Sequence, residues 1–120
     1  MNSNHELVLL LVEDNPDDVI FFQHAVAESA VRARVEVAPD GHEAMEYLEG
    51  RGPYADPERS PRPGVILLDL NLPGTDGREV LTEIKQDEQL KKIPVIVLTT
   101  SNDARDVESC YQAGANSYIQ

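Results

Sequence analysis

Cations are scarce in this chain of 120 residues, where ten Lys+Arg stand against 22 Asp+Glu for a formal net charge of −12 at pH 7. A surface of that sign repels a phosphate backbone, so direct nucleic-acid binding is not expected. Cysteine is reduced to Cys110, which has no partner for an internal disulfide. Its helical neighbours make it a small core residue rather than a reactive thiol, and a reducing cytoplasm suits it. Long apolar runs are missing too: Leu7–Val12 is too short to span a bilayer, and no cationic segment of the kind a signal peptide needs precedes it. Neither a membrane anchor nor export is expected. No Gly-rich fingerprint follows that run, which argues against dinucleotide binding. His5, His24 and His42 are scattered without metal-ligand spacing, which leaves them surface or capping roles.

What is present suffices for one domain, since 41% apolar content over 120 residues can bury a core without staples. The chain is organised around Val65-Ile66-Leu67-Leu68-Asp69-Leu70-Asn71-Leu72-Pro73-Gly74. An apolar run without alternation meets one carboxylate and then a Pro-Gly turn, the pattern of a buried parallel strand ending in a loop. Leu7 to Val12 is a second such run, and it also ends in carboxylates, Glu13 and Asp14. A helix starts there: Asn15 or Asp14 can cap, Pro16 fits the first position, and Asp17 and Asp18 complement the positive helix end. Val19, Phe22 and Val26 repeat on one face of it.

Arg34-Val35-Glu36-Val37 alternates as an edge strand with one wet face would, and Pro39-Asp40-Gly41 turns into a helix carrying Ala44, Met45 and Leu48. Residues Gly50 to Gly64 hold Pro53, Pro57, Pro61 and Pro63 with several charges, which reads as a long connecting loop without periodicity. Val80, Leu81 and Ile84 mark a third helix. Pro94-Val95-Ile96-Val97-Leu98 is another buried strand, running into Thr99-Thr100-Ser101. Asn102 or Asp103 can cap a fourth helix with Val107, Cys110, Tyr111 and Gly114 on one face, and Ser117-Tyr118-Ile119-Gln120 begins a last strand. Strands alternating with helices predict an α/β doubly wound parallel sheet with right-handed crossovers.

In such a sheet Glu13, Asp14 and Asp69 meet at the strands' carboxyl ends, with Thr99 beside them. Each has a plain structural use alone, as a cap, a partner to the helix dipole or a strand end. Together, three crowded carboxylates repel one another and call for a hard cation, and Mg²⁺ fits because it takes one or two carboxylates and leaves room for a phosphate oxygen. Asp69 is then a competent nucleophile toward an activated phosphoryl donor, with Thr99 able to hydrogen-bond a phosphoryl oxygen. The product would be an aspartyl phosphate.

Leu10-Leu11-Val12-Glu13-Asp14-Asn15, Ile66 to Gly74, Pro94 to Thr99 and Ala113-Gly114-Ala115-Asn116-Ser117-Tyr118 resemble the receiver domain of two-component response regulators over nearly the whole chain. The resemblance implies a five-stranded flavodoxin-like sheet of order 2-1-3-4-5 with helices on both faces, a fold for which a receiver is itself a standard example. It implies phosphorylation of Asp69 by a sensor histidine kinase, and Mg²⁺, or alternatively Mn²⁺, held by Asp14, Asp69 and the backbone carbonyl of Asn71. Glu13 would complete the acidic pair through water. Thr99 and Tyr118 would be the switch pair, and the helix 4/strand 5 face would change on phosphorylation and support a homodimer.

The Gly50 to Gly64 loop, Asn15-Pro16-Asp17-Asp18 and Leu98-Thr99-Thr100-Ser101 are similar to the small single-domain regulators paired with phytochrome-type kinases, so a bacterial phytochrome is a candidate partner. The family pattern continues with a lysine, a proline and a fifth helix. Residues 1–120 are therefore expected to be a single receiver domain truncated at its C-terminus, working in the cytoplasm. Two other readings compete. A receiver-like interaction module that does not depend on phosphorylation would usually lose the acidic site. A phosphatase with an aspartate nucleophile needs a second acid two residues on, where this chain has Asn71. An acceptor with at most slow self-dephosphorylation is expected, rather than a turnover enzyme.

Overall fold

The computed structural model describes residues 6–70, 72, 77–98 and 108, and the backbone of 117–119. Five parallel strands form one sheet in the order β2-β1-β3-β4-β5. They are β1 (Leu7–Val12), β2 (Ala33–Ala38), β3 (Val65–Asp69), β4 (Val95–Leu98) and β5 (Ser117–Ile119). Between them run α1 (Pro16–Glu28), α2 (Gly41–Glu49) and α3 (Gly77–Gln86). The doubly wound fold and the strand order expected from the sequence are both observed. Of the fourth helix expected around Val107 to Gly114, with Cys110, only Glu108 is among the described residues, and it is helical.

The central strands are unalternating because both sheet faces are covered. Leu10, Val12, Ile66, Leu68, Val95 and Val97 pack with the buried residues of α2 and α3 into one core. The intervening Leu9, Leu11 and Leu67 are also buried and, by the two-residue period of a strand, face the other side. The chain leaves β1 for β2 in one direction and crosses back over β1 to β3 in the other, so right-handed crossovers put α1 on one face and α2 and α3 on the opposite one.

Local chemistry sets the helix boundaries. Asn15 caps α1 by accepting from the Asp17 amide at 2.9 Å, with Pro16 in the first turn, and Asp40 caps α2 by accepting from the Glu43 amide at 2.8 Å. Helix α2 stops at Gly50, whose φ of 67° is left-handed and favours glycine. The expected face of α1, Val19, Phe22 and Val26, is only half-buried, while Ile20 and Phe21 stay 52% and 76% exposed. Edge strand β2 also departs from clean alternation: Ala33 to Glu36 are all half-buried and Val37 is exposed.

The proline-rich loop is more ordered than its composition suggests. It contains a 3₁₀ turn at Gly52–Tyr54 and is fastened at several points. The Tyr47 hydroxyl donates to the Pro61 carbonyl at 2.7 Å, Arg34 Nη2 to the Arg59 carbonyl at 2.6 Å, and the Gly64 amide to the Val8 carbonyl at 2.8 Å. Arg62 reaches the Gln89 carbonyl.

Candidate functional site

The acidic site follows from the strand register. Val12 lies opposite Leu68, so Glu13, the next residue, falls beside Asp69, and Asp69 in turn lies opposite Leu98 of β4. The strand order reverses between β1 and β3, which makes their carboxyl ends the crevice of the sheet. Glu13, Asp14 and Asp69 converge there, each offering a carboxylate oxygen within 4.8 Å of the others. The three are graded in exposure: Glu13 is buried, Asp69 half-buried and Asp14 exposed.

Burial is the main reason that Glu13 has its carboxyl pushed up to about 7. The Asn15 amide, which donates to Glu13 Oε2 at 3.2 Å, opposes the shift. Asp69 reinforces it through a hydrogen bond and like charge, and Asp18 adds a smaller repulsion. Without a cation, Glu13 therefore holds its proton to higher pH than an ordinary glutamate, and in that protonated form it can donate toward the Asp69 carboxylate. Three carboxylates this close, with the buried one raised in pKa, are the donor set that a hard divalent cation fits, since the ion favours the ionised form and satisfies the oxygens together.

The other expected site residues stand differently. Asn71 and Thr99 lie outside the described residues, although Thr99 directly follows Leu98, the residue opposite Asp69. Tyr118 is in β5 with its backbone opposite Val97, and its side chain is outside the described set. Two features escape sequence reasoning: the Asn15 amide bond to Glu13, and the close seat of Gly77 on the Asp69 backbone. The glycine at the head of α3 was the only visible sign of the second.

A family profile for the response regulator receiver domain matches residues 9–120. The chain belongs to the response regulator receiver family. This receiver is 48% identical over 117 residues to the response regulator Rcp1 of Synechocystis sp., a match that covers 98% of this chain and 78% of that protein. Its fold is similar to that of the phosphorylated cyanobacterial phytochrome response regulator RcpA, with a TM-score of 0.88 and 49% identity over 96% of this chain and 80% of the other. The Mn²⁺-bound form of Rcp1 superposes with a TM-score of 0.86 and 47% identity, over 95% of this chain and 80% of that one. The sequence resemblance to receivers, and to the phytochrome-associated group among them, is thereby borne out.

Proposed function

We propose that this receiver accepts a phosphoryl group on Asp69 from the phosphohistidine of a sensor histidine kinase. The observation that carries the reading is the convergence of Glu13, Asp14 and Asp69 at the β1/β3 switch point. An Asp69 carboxylate oxygen attacks phosphorus, the P–O bond forms as the P–N bond breaks, and the imidazole nitrogen keeps the bonding pair and takes up a proton. Asp69 supplies the nucleophile, and the half-buried strand end limits the positions that its carboxylate can take. Asp14 and Asp69, with the Asn71 carbonyl, would hold Mg²⁺ or Mn²⁺, and Glu13 would act through water. When bound, the cation offsets charge on the phosphoryl oxygens. Thr99 is assigned the hydrogen bond to the phosphoryl group, and Tyr118 the aromatic that reports it.

The similarity to RcpA and Rcp1 supports a phytochrome-type kinase as the partner. A kinase that draws phosphate from ATP puts the receiver in the cytoplasm, and no helix among the described residues is long and apolar enough to cross a membrane. The net charge of −12 disfavours nucleic acid as a partner, and Asn71 in place of a second acid makes the domain an acceptor rather than a turnover phosphatase. A homodimer through the helix 4/strand 5 face belongs to the same reading.

Acetyl phosphate with Mg²⁺ should add one phosphoryl group by intact mass, and EDTA should prevent it. Asp69→Asn should abolish the mass increase. Labelling that persists in that variant would remove the central assignment.

A further inference from the structure

Helix α3 begins against the backbone of the strand that carries the acceptor. A Cβ built on Gly77 would stand 2.8 Å from the Asp69 carbonyl oxygen, 2.8 Å from the Leu70 Cα and 3.2 Å from Leu70 Cδ2. Carbon atoms in ordinary contact lie about 3.5–4.0 Å apart, so no side chain fits this seat without movement. The positive-φ glycines among the described residues are Gly50 and Gly52, so at position 77 the requirement is close approach and not a left-handed backbone.

Neither side of the seat is free to yield. Strand β3 is clamped between β1 and β4, with Asp69 in register with Leu98 and the Leu70 amide donating to the Leu98 carbonyl at 3.2 Å. Helix α3 is held down by Val80, Leu81 and Ile84, all buried in the core. A methyl group at position 77 must therefore displace the 69–70 peptide or lift the first turn of α3, and the Asp69 side chain hangs from that peptide.

We propose that Gly77 is a positioning residue for phosphoryl acceptance: by letting α3 seat on the 69–70 peptide, it sets the Asp69 carboxylate against Glu13 and Asp14. The proposal rests on Asp69 as the acceptor, which labelling of the unaltered protein checks separately. Gly64→Ala is the matched control. Its Cβ would meet Leu7 Cδ1 at 2.9 Å, the movable end of a side chain, at the opposite edge of the sheet.

Labelling by acetyl phosphate at saturating Mg²⁺, Mn²⁺ titration and amide hydrogen exchange are measured together. Gly77→Ala should label at least about tenfold more slowly and bind Mn²⁺ more weakly, because displacement of a reacting group by a fraction of an ångström is costly. Its Leu70 amide should exchange faster while Leu10 and Leu81 keep their protection. Gly64→Ala should label at the unaltered rate. A Gly77→Ala protein that stays folded and labels within about twofold of the unaltered one overturns the proposal. Should Gly77→Ala not fold, Leu70→Ala loosens the same seat from the strand side and should slow labelling by roughly threefold or more. An unchanged rate in that variant also overturns the proposal, whereas an unlabelled parent protein would instead remove the acceptor assignment.

Discussion

Glu13 links the site to pH. An unfolded glutamate titrates near 4.5, while burial and the neighbouring Asp69 push the folded group up to about 7. Between those values the folded chain binds a proton that the unfolded chain has released, so this group makes stability fall as pH rises through the window. Below both values it contributes nothing. Glu13→Gln keeps the shape and a donor toward Asp69 but cannot titrate. In EDTA, urea unfolding should show the unaltered protein losing on the order of 2 kcal/mol relative to the variant from the bottom to the top of that window. Parallel profiles for the two proteins would refute the assignment. Saturating Mg²⁺ should flatten the slope, because the ion favours the ionised carboxylate and displaces the proton.

Among the elements, the Gly50 to Gly64 loop shows where sequence reading stops. Strands β1 and β3 were legible because continuous apolar runs ending in carboxylates have few other meanings, β4 from a like run ending in hydroxyls, and α1 from Asn15-Pro16-Asp17-Asp18. The grouping of Glu13, Asp14 and Asp69 then followed from sheet order alone. The loop's order did not follow, because its hydrogen bonds join residues far apart in the chain, Tyr47 to Pro61 and Arg34 to Arg59, and such pairs leave no periodic trace. The Glu13 proton and the Gly77 seat were hidden for the same reason, since each depends on a tertiary neighbour. Tyr47→Phe isolates the loop's contribution. It keeps the ring, which packs at 5.2 Å from the ring of Tyr54, and removes the bond to Pro61. Equilibrium unfolding should show a loss of about 1 kcal/mol. Acetyl phosphate labelling should be unchanged, since the loop enters β3 at the sheet edge opposite Asp69. A slowed reaction would mean that the loop reaches the site. Burial also pushes the Tyr47 phenol up to about 12, so the folded protein holds this proton beyond the ordinary value of 10 and loses stability as pH rises between the two.

Across the whole molecule, charge is divided along the strand direction. The carboxyl edge of the sheet and the adjoining first helical turns carry Glu13, Asp14, Asp17, Asp18, Asp40, Glu43, Asp69 and Glu79, with Arg78 the cation among the described residues there. The segments entering the strands at the other edge hold Arg32, Arg51, Arg59, Arg62, Lys91 and Lys92, interleaved with Glu6, Asp56, Glu58, Asp87 and Glu88. The excess negative charge therefore gathers around the phosphoryl-accepting crevice. That field draws divalent cations inward and opposes an anionic phosphoryl donor until a cation is bound, which makes the order of binding a property of the whole surface and not of the three carboxylates alone. Asp17 and Asp18 are exposed and lie outside the Glu13, Asp14 and Asp69 cluster, yet Asp18 already raises Glu13 through space. Asp18→Asn should weaken Mg²⁺ binding by roughly threefold at low ionic strength, and combining it with Asp17→Asn should add to the effect. In about 0.5 M salt, where the screening length shrinks to a few ångströms, the variants should bind Mg²⁺ as the unaltered protein does. Loss of a proposed ligand should behave differently: Asp14→Ala should remain weak at every salt concentration. If the Asp18→Asn deficit survived high salt unchanged, Asp18 would be acting through contact at the site and not through the field of the acidic edge.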